Sequence, residues 1–237
     1  MGFIPHHGFV QQPILGETAH VRGIAEYKEL YRLSTEDAEG FWSEQARRYL
    51  AWEREWDFVL QYSSDEAIIE WFGGGLINAS VNCLDRHAEQ RGDTIAFHWE
   101  GDDPGETKSI TYAELLESVT RLAGFLKHRG VEKGDTVFIY GASCIEVPTA
   151  MLACARIGAV HCIVSPAYSA AVLAERMKRC KAKALIAGDG YYHCGEAIPL
   201  GDKLDQAIGL YPGLIAVILI SRLGGASVQP HRNACVW

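Results

Sequence analysis

Three short apolar runs at the centre of the chain, residues 136–140, 159–164 and 184–187, are separated by two segments of helical length. The runs are rich in Val and Ile and lack the polar alternation of a strand with one solvent-exposed face. Such runs are typical of parallel strands that crossover helices bury on both faces. The pattern therefore predicts a βαβαβ unit.

The segments around these runs have the patterns of helices and a further strand. Residues 145–157 are apolar almost all round, which predicts a buried helix, whereas residues 169–181 place charged positions opposite apolar ones, which predicts an amphipathic helix. A helix at residues 201–210 and a strand at residues 214–220 extend the core to β(αβ)3. We therefore predict an α/β fold with a right-handed, largely parallel sheet flanked by helices.

A hairpin is predicted before this core. Residues 94–99 and 109–111 have the composition of strands, and the turn-rich segment between them contains Asp102, Asp103 and Glu106. These three carboxylates either bind a cation or form a solvated loop tip. The solvated tip is the expected arrangement.

The helix that follows the hairpin has signals at both ends. Thr111 and Glu114 have the spacing of a capping box, in which each side chain bonds the backbone of the other residue. Apolar residues then repeat at helical spacing up to Gly130, whose missing Cβ permits the left-handed conformation that ends many helices. We predict a helix between these two signals.

The N-terminal region has a different pattern. Residues 1–25 show no periodicity, which predicts an extended or disordered arm. Residues 26–90 predict a mostly helical extension, with one helix of about sixteen residues that begins at residues 34–37. Residues 91–237 contain the α/β part, and the last seventeen of them, 221–237, have neither helical nor strand periodicity.

Two groups in the N-terminal region have a chemical interpretation and a simpler one. His6 and His7 could bind a metal ion, but a solvated arm is the expected role of this pair. Trp52, Trp56 and Trp71 could form a stacking platform for a ligand. We expect instead that these aromatic side chains pin the N-terminal extension to the main domain.

Two further patterns resemble catalytic motifs only superficially. No strand leads into the run Gly73–Gly75 and no Gly-Lys-Ser/Thr follows it, so we predict a flexible crossing and not a phosphate loop. Asp85 and His87 could form a catalytic dyad, but helical residues two apart point to different faces. A polar cluster at a helix end is therefore the expected arrangement.

Composition and charge narrow the classes of function. The content of 48% hydrophobic and 22% charged residues is that of an ordinary globular protein. A formal net charge of −8 without a Lys/Arg cluster argues against a nucleic-acid partner. The longest apolar run, residues 214–220, is too short to cross a bilayer. The first twenty residues contain no Lys or Arg, so the charged start of a targeting signal is not expected.

The cysteines indicate the redox compartment. Seven are scattered along the chain without a CxxC pair, which is typical of reduced thiols in a cytoplasmic protein. Neither a disulfide framework nor a zinc site is expected. Cys154 and Cys162 lie in predicted core elements, so we expect both to be buried.

Four blocks of the sequence together resemble a known family. They are EYKELYRLSTEDAEGFWSEQARRYLAWEREWD, WFGGGLINASVNCLDRH, ITYAELLESVTRLAGFLKHRGVEKGDTV and AMLACARIGAVHCIV. In this order and spacing they are similar to the N-terminal part of AMP-forming acetyl-CoA synthetases, the acetate/propionate–CoA ligase branch of the adenylate-forming enzymes. The resemblance runs from about Glu26 to the final residues, and it makes residues 91–237 an incomplete N-terminal α/β subdomain of an AMP-binding ligase.

The resemblance implies an activity and its cofactors. Complete enzymes of this family activate a short carboxylate with ATP and Mg²⁺ to an acyl-adenylate, release diphosphate, and then form a thioester with coenzyme A. The family's phosphate loop, its nucleotide motifs and its C-terminal domain lie downstream of the region matched here. We therefore expect a chain without catalytic or metal-binding residues of its own, inactive alone, and without tight binding of ATP or coenzyme A.

The resemblance also implies positions that contact coenzyme A. They lie in the turn after the second core strand and in a loop, residues 188–196, after the third: Tyr168, Ser169, His193, Cys194, Gly195 and Glu196. Two departures weaken this site. Glu196 repels a phosphate where the family has Arg or Lys, and Pro166 removes an N–H where the family has glycine. A structural loop is the expected role of both segments.

Two alternatives remain open at this point. The chain could be a non-catalytic module that binds coenzyme A near Tyr168 and His193. It could also be a partner of a ligase subunit that pairs through residues 214–220, which would form an exposed apolar edge of the sheet. Exposed apolar surface of this kind further predicts marginal stability or self-association.

Overall fold

The computed structural model describes residues 19–141, 143–224 and 234–236. The chain divides into two compact units, Met1–Ile77 and Asn78–Trp237, which are described separately. His6 and His7, like most of the predicted arm, lie outside the described residues.

The first unit combines two helices and a hairpin: α1 (Ile24–Glu36), α2 (Ala38–Tyr49), β1 (Phe58–Ser63) and β2 (Ile68–Gly73). Of the helix start predicted at residues 34–37, only the last residue caps a helix. Ser34 lies in the last turn of α1 and its hydroxyl donates to the carbonyl of Tyr31 at 2.8 Å. Asp37 is the N-cap of α2, because its carboxylate accepts from the backbone of Gly40 at 3.1 Å.

Aromatic side chains form the packing of this unit. The ring of Trp56 lies 4.9 Å from that of Trp52 and 4.8 Å from that of Phe72, which connects the chain after α2 to the end of β2. The glycine run begins at the last residue of β2 and forms an ordered turn, so the predictions of a flexible crossing and of no strand before it are both wrong. Gly75 donates to the carbonyl of Phe72 at 3.0 Å, and a Cβ on Gly73 would overlap the ring of Phe58.

The second unit begins with a π-helical turn (Val81–Asp85), α3 (Arg86–Arg91), β3 (Ile95–Glu100), β4 (Thr107–Thr111) and α4 (Tyr112–His128). β3 and β4 pair antiparallel, which confirms the predicted hairpin. The capping box at the start of α4 is also confirmed. The Thr111 hydroxyl accepts from the Glu114 amide at 3.3 Å, and the Glu114 carboxylate accepts from the Thr111 amide at 2.9 Å.

Five parallel strands form the central sheet of the second unit in the order β11-β10-β7-β5-β6. The strands and helices after α4 are β5 (Thr136–Tyr140), α5 (Glu146–Ile157), β6 (Val160–Val164), α6 (Ala170–Arg179), β7 (Ala184–Gly188), β8 (Gly190–His193), β9 (Glu196–Pro199), α7 (Gly201–Leu210), β10 (Ala216–Ile220) and β11 (Ala234–Val236). The predicted α/β class with a parallel sheet is confirmed.

Two apolar layers bury the two faces of this sheet. Residues of α4 and α5 pack on the face that presents Val137 and Ile139, while residues of α6 and α7 pack on the face that presents Phe138. All three strand side chains are at most 1% exposed. Full burial of such a side chain contributes about 1.5–3 kcal/mol, so these layers are the main source of stability of the unit.

The prediction that residues 214–220 form an exposed edge of the sheet is wrong. β10 lies between β7 and β11, and all five of its residues are buried. Among the described strands the apolar edge is β6, where Val160 is 53% and Ile163 48% exposed. Strand order depends on how the crossover connections run, which the local apolar pattern does not record.

Cys154 is fully buried, and desolvation raises the pKa of its thiol to about 12. Cys162 on the edge strand is only partly buried, so the predicted burial is confirmed for the first of these residues and not for the second. In the part of the chain that the structure describes, no helix is both long enough and apolar enough to span a membrane.

Candidate functional site

The order of the strands identifies the edge of the sheet where a ligand would bind. The chain leaves β5 for β6 on one side and returns to pair β7 on the other side of β5. In doubly wound sheets, ligands bind at the carboxyl ends of the two strands where the direction reverses. Here these ends meet closely, because a Cβ on Gly141 would lie 3.2 Å from the amide of Gly188.

The turn after β6 is fixed by a residue of β5. Tyr140 is fully buried, and its hydroxyl shares its one proton between the carbonyls of Pro166 at 3.0 Å and Tyr168 at 2.8 Å. Burial raises the pKa of this hydroxyl above its ordinary value, so it remains a donor. The Tyr168 ring is 42% exposed and packs against the Arg176 guanidinium at 4.7 Å, while Ser169 is the N-cap of α6.

The prediction of a loop at residues 188–196 is wrong, because β8 and β9 form a hairpin there. His193 lies opposite Glu196, and the two turn residues, Cys194 and Gly195, have φ angles of 52° and 79°. Positive φ at both turn positions matches the twist of the flanking strands. We call residues His193 to Glu196 the hairpin tip, and all four are exposed.

The six positions proposed for coenzyme A therefore fall into two groups. Tyr168 and Ser169 follow β6, whereas the hairpin tip follows β7, and β5 lies between these two strands. Both groups lie at the carboxyl edge of the sheet. Whether they contact a ligand stays a prediction.

Asp189 connects this edge to the segment after β10. It is 2% exposed, and its Oδ1 accepts from the amides of Arg222 at 2.7 Å and Leu223 at 2.9 Å. A carboxylate that accepts two backbone amides fixes the position of the segment that donates them. Asp189 thus positions Arg222 beside the hairpin.

Arg222 is the central side chain of this arrangement, and no local sequence pattern points to it. Its guanidinium lies 5.0 Å from the ring of Trp99 and 4.8 Å from that of Tyr192. It donates to both oxygens of Glu106, at 2.7 and 2.5 Å, and these bonds raise the pKa of Arg222. The side chain is 17% exposed. Both aromatic rings lie within cation–π distance of the guanidinium, and the carboxylate accepts from both of its terminal nitrogens.

The turn between β3 and β4, residues 101–106, contacts the hairpin tip and is called the acidic turn below. Asp102 accepts from the amide of Gly195 at 2.5 Å. A cavity of about 610 Å³ lies beside this contact. It is lined by Asp102, Asp103, Glu106, Tyr192, Cys194, Gly195 and Arg222. Three carboxylates around one cavity disfavour a phosphate, because its charge has the same sign.

Comparison with known protein families identifies the family of this chain. Residues 84–224 match the family of AMP-binding enzymes, and residues 27–83 match the acetyl-coenzyme A synthetase N-terminus. The chain belongs to the AMP-binding enzyme family. The resemblance found in the sequence is thereby confirmed.

Individual relatives of the AMP-binding family agree with this assignment. The chain is 44% identical over 209 residues to the acetyl-coenzyme A synthetase of Alkalilimnicola ehrlichii, with 88% of this chain covered and 32% of the relative. It is 47% identical over 207 residues to that of Rubrobacter xylanophilus, with 87% and 31% covered. The chain thus spans about a third of the length of these curated relatives.

A solved structure of the same kind has the same fold. The acetoacetyl-CoA synthetase from Streptomyces lividans superposes with a TM-score of 0.80 and 26% identity. The match covers 92% of this chain and 33% of that protein.

The other candidate groups of this AMP-binding chain have structural partners. Both oxygens of Asp85 accept from Arg156 at 2.8 Å, and these bonds lower the pKa of the carboxyl. The ring of His87 packs 5.2 Å from that of Tyr112, and partial burial, with Arg91 nearby, lowers its pKa. The alternative of a catalytic dyad is therefore not supported.

The acidic turn offers no cation site. Glu106 pairs with Arg222, Asp102 bonds the hairpin tip, and Asp103 accepts from Gly105 within the turn at 2.9 Å. Among the residues that the structure describes, no group of three or more His, Cys, Asp or Glu side chains is placed to bind a metal ion.

Proposed function

We propose that this chain is the N-terminal scaffold of an acetate-activating ligase, which converts ATP, acetate and coenzyme A to acetyl-CoA, AMP and diphosphate. The observation that carries the proposal is the consecutive match of residues 27–83 and 84–224 to the two family models, in one chain whose relatives are acetyl-coenzyme A synthetases. We assign the reaction to the cytoplasm, as the scattered cysteines favour.

The scaffold contributes the carboxyl edge of a rigid sheet. Tyr140 and Asp189 fix the turn after β6 and the segment after β10, so both present defined backbone to the space beyond the strands. Rigid placement of loops at this edge is what a ligand site in a doubly wound sheet requires. In the complete enzyme, ATP with Mg²⁺ would supply the adenylate and coenzyme A the thiol.

The described residues do not fit these groups well on their own. The glycine run of the first unit is a closed turn filled by Phe58, so it offers no phosphate cradle. Beside the hairpin tip, Arg222 is paired with Glu106. Within the tip, Glu196 adds a further exposed carboxylate. We therefore derive no step of the reaction from this chain and expect it to be inactive alone.

A chimera tests the scaffold role directly. Residues 1–224 of this chain are joined to the remaining length of the Rubrobacter xylanophilus relative, and acetate-dependent diphosphate release is measured. We expect a rate within about tenfold of the intact relative, a change of about 1.4 kcal/mol in the barrier. The remaining length of the relative alone is the control, and it should be inactive.

Two results would refute the proposal. A folded chimera without acetate-dependent turnover would show that these residues cannot act as the scaffold of this ligase. Robust turnover by the isolated 237-residue chain would show that it carries catalytic groups of its own. In the wild type, carboxylates already occupy the Gly195 amide and Arg222, so calorimetry at millimolar coenzyme A should detect no heat.

A further inference from the structure

The acidic turn reaches across to the hairpin tip, although the two segments are far apart in the sequence. Asp102 Oδ2 accepts from the Gly195 amide at 2.5 Å, and both residues are exposed. An exposed amide at this position would otherwise bond water. The contact therefore places a charged carboxylate where solvent or a ligand would bind.

The Gly195 amide belongs to a turn that favours anions. With positive φ at Cys194 and Gly195, the ladder of the hairpin closes between His193 and Glu196. The amide of the second turn residue points outward and takes no part in that ladder. Outward amides in such turns form concave sites for anions, phosphate included. Asp102 is thus an anion bound at the tip.

The acidic turn contributes a second carboxylate, that of Glu106, which pairs with the neighbouring guanidinium of Arg222. Glu106 accepts two hydrogen bonds from Arg222, whose planar guanidinium suits carboxylate and phosphate equally. The rings of Trp99 and Tyr192 lie 5.0 and 4.8 Å from the guanidinium, and both terminal nitrogens donate to Glu106, so a phosphate has to displace this carboxylate to make the same two-point contact. Both anion-binding groups beside the cavity therefore carry a carboxylate from the acidic turn.

We propose that the acidic turn is an intramolecular competitor for phosphate at the hairpin tip. The carboxylates of Asp102 and Glu106 occupy the Gly195 amide and the Arg222 guanidinium, and a phosphate-bearing ligand reaches the tip when Asp102 leaves it. That this ligand is coenzyme A rests on the proposed function. The competition itself rests only on the contacts and on the cavity beside them.

A titration with inorganic pyrophosphate tests the competition on the full chain. The Gly195 amide resonance is followed at constant ionic strength in the wild type, in Asp102→Asn and in Asp103→Asn. The two variants remove the same charge from the same turn, but only Asp102 bonds the tip. We expect Asp102→Asn to bind pyrophosphate about fivefold or more tightly than the wild type, and Asp103→Asn to match the wild type.

Asp102→Ala is the second variant, since it removes the acceptor as well as the charge. Its Gly195 amide should respond at least as strongly as that of Asp102→Asn. Equal responses of the Asp102 and Asp103 variants would reduce the effect to net charge and overturn the proposal. The absence of any response at Gly195 in both Asp102 variants, with otherwise native spectra, would overturn it as well.

Binding of coenzyme A and of pantetheine to the wild type and to Asp102→Asn distinguishes this inference from the proposed function. Tighter pyrophosphate binding in Asp102→Asn without tighter coenzyme A binding would support the competition and count against the coenzyme A role. Tighter coenzyme A binding with unchanged pantetheine binding would support both, because pantetheine lacks the phosphates.

Discussion

Tyr140 lies at the carboxyl end of β5, and its buried hydroxyl lies within hydrogen-bond distance of two backbone carbonyls in the turn after β6. The proline at position 166 fixes one φ angle, and the turn closes through a bond from the Tyr168 amide to the Ser165 carbonyl at 3.2 Å. The Tyr140 hydroxyl adds support to this turn from the neighbouring strand.

Replacing Tyr140 with Phe tests this support. The change keeps the ring in the core but removes the hydroxyl donor from the carbonyls of Pro166 and Tyr168, of which the Pro166 carbonyl keeps a contact with Lys203 Nζ at 3.4 Å. We expect the free energy of unfolding to fall by about 1–3 kcal/mol in urea titrations. Tyr168→Phe is the matched control. Because the Tyr168 ring is exposed, this substitution should lower the free energy of unfolding by no more than about 0.5 kcal/mol. Equal losses in the two variants would contradict the argument.

Single residues were predictable from sequence where their partners are near in the chain. The capping box of Thr111 and Glu114 and the left-handed Gly130 follow from spacing and residue type alone. The partners of Arg222 come from β3, the acidic turn and β8. No local pattern records such a convergence, which needs the folded sheet.

Asp85 and Arg156 join two helical elements of the second unit. The carboxylate ends the π-helical turn, and the guanidinium comes from the last turn of α5. The pair is only partly exposed, at 32% for the Asp85 side chain and 25% for that of Arg156. Its two parallel hydrogen bonds set the orientation of the turn relative to α5.

This ion pair should make stability depend on pH. Arg156 lowers the pKa of Asp85 in the folded state. The stabilisation is therefore present above the unfolded value of about 3.9 and is lost as pH falls through the lower folded value. At pH 7 we expect Asp85→Asn to cost about 1 kcal/mol, allowing for partial solvent screening. The cost should shrink below about pH 4, which urea titrations across pH can measure.

Glu117→Gln provides the control for this prediction. Its carboxylate lies 3.8 Å from Arg121 with both side chains mostly exposed, so the substitution should cost less than about 0.5 kcal/mol. A cost for Asp85→Asn that stays constant down to pH 3 would show that the pair does not stabilise the fold through its charge.

Elements were predictable where burial imposes a strong period. The central strands and α4 to α6 have continuous apolar runs or clear helical spacing because the sheet and its two layers bury them. α1 has no buried residue among its thirteen, so no buried face marks where this helix begins and ends. The β8–β9 hairpin has Cys194 at a turn position where Asn or Asp usually signals a tight turn, and it was missed for that reason.

The exposed edge strand of the sheet, β6, is the surface through which we expect two copies of the chain to associate. β6 pairs only with β5 among the described strands, and its free side presents backbone groups beside Val160 and Ile163. Unpaired apolar edges of this kind favour pairing with a second chain. Which strand lies at the edge could not be predicted, because strand order is a property of the complete topology.

We expect the isolated chain to self-associate through β6. Ile163→Lys places a charge on the edge and should weaken association by about fivefold or more. Light scattering over a concentration series measures the change. Val172→Lys is the matched control, since Val172 is an exposed apolar residue of α6. A monomeric wild type, or equal weakening by both substitutions, would contradict a role for this edge.

The strand order also determines how the sheet can form during synthesis. β5 leaves the ribosome first, β6 then adds on one side of it, and β7, β10 and β11 add in turn on the other. Each new strand joins an open edge, and no pair already formed has to separate to admit it. A nascent chain can therefore build this sheet outward from β5 in the order in which its strands are made.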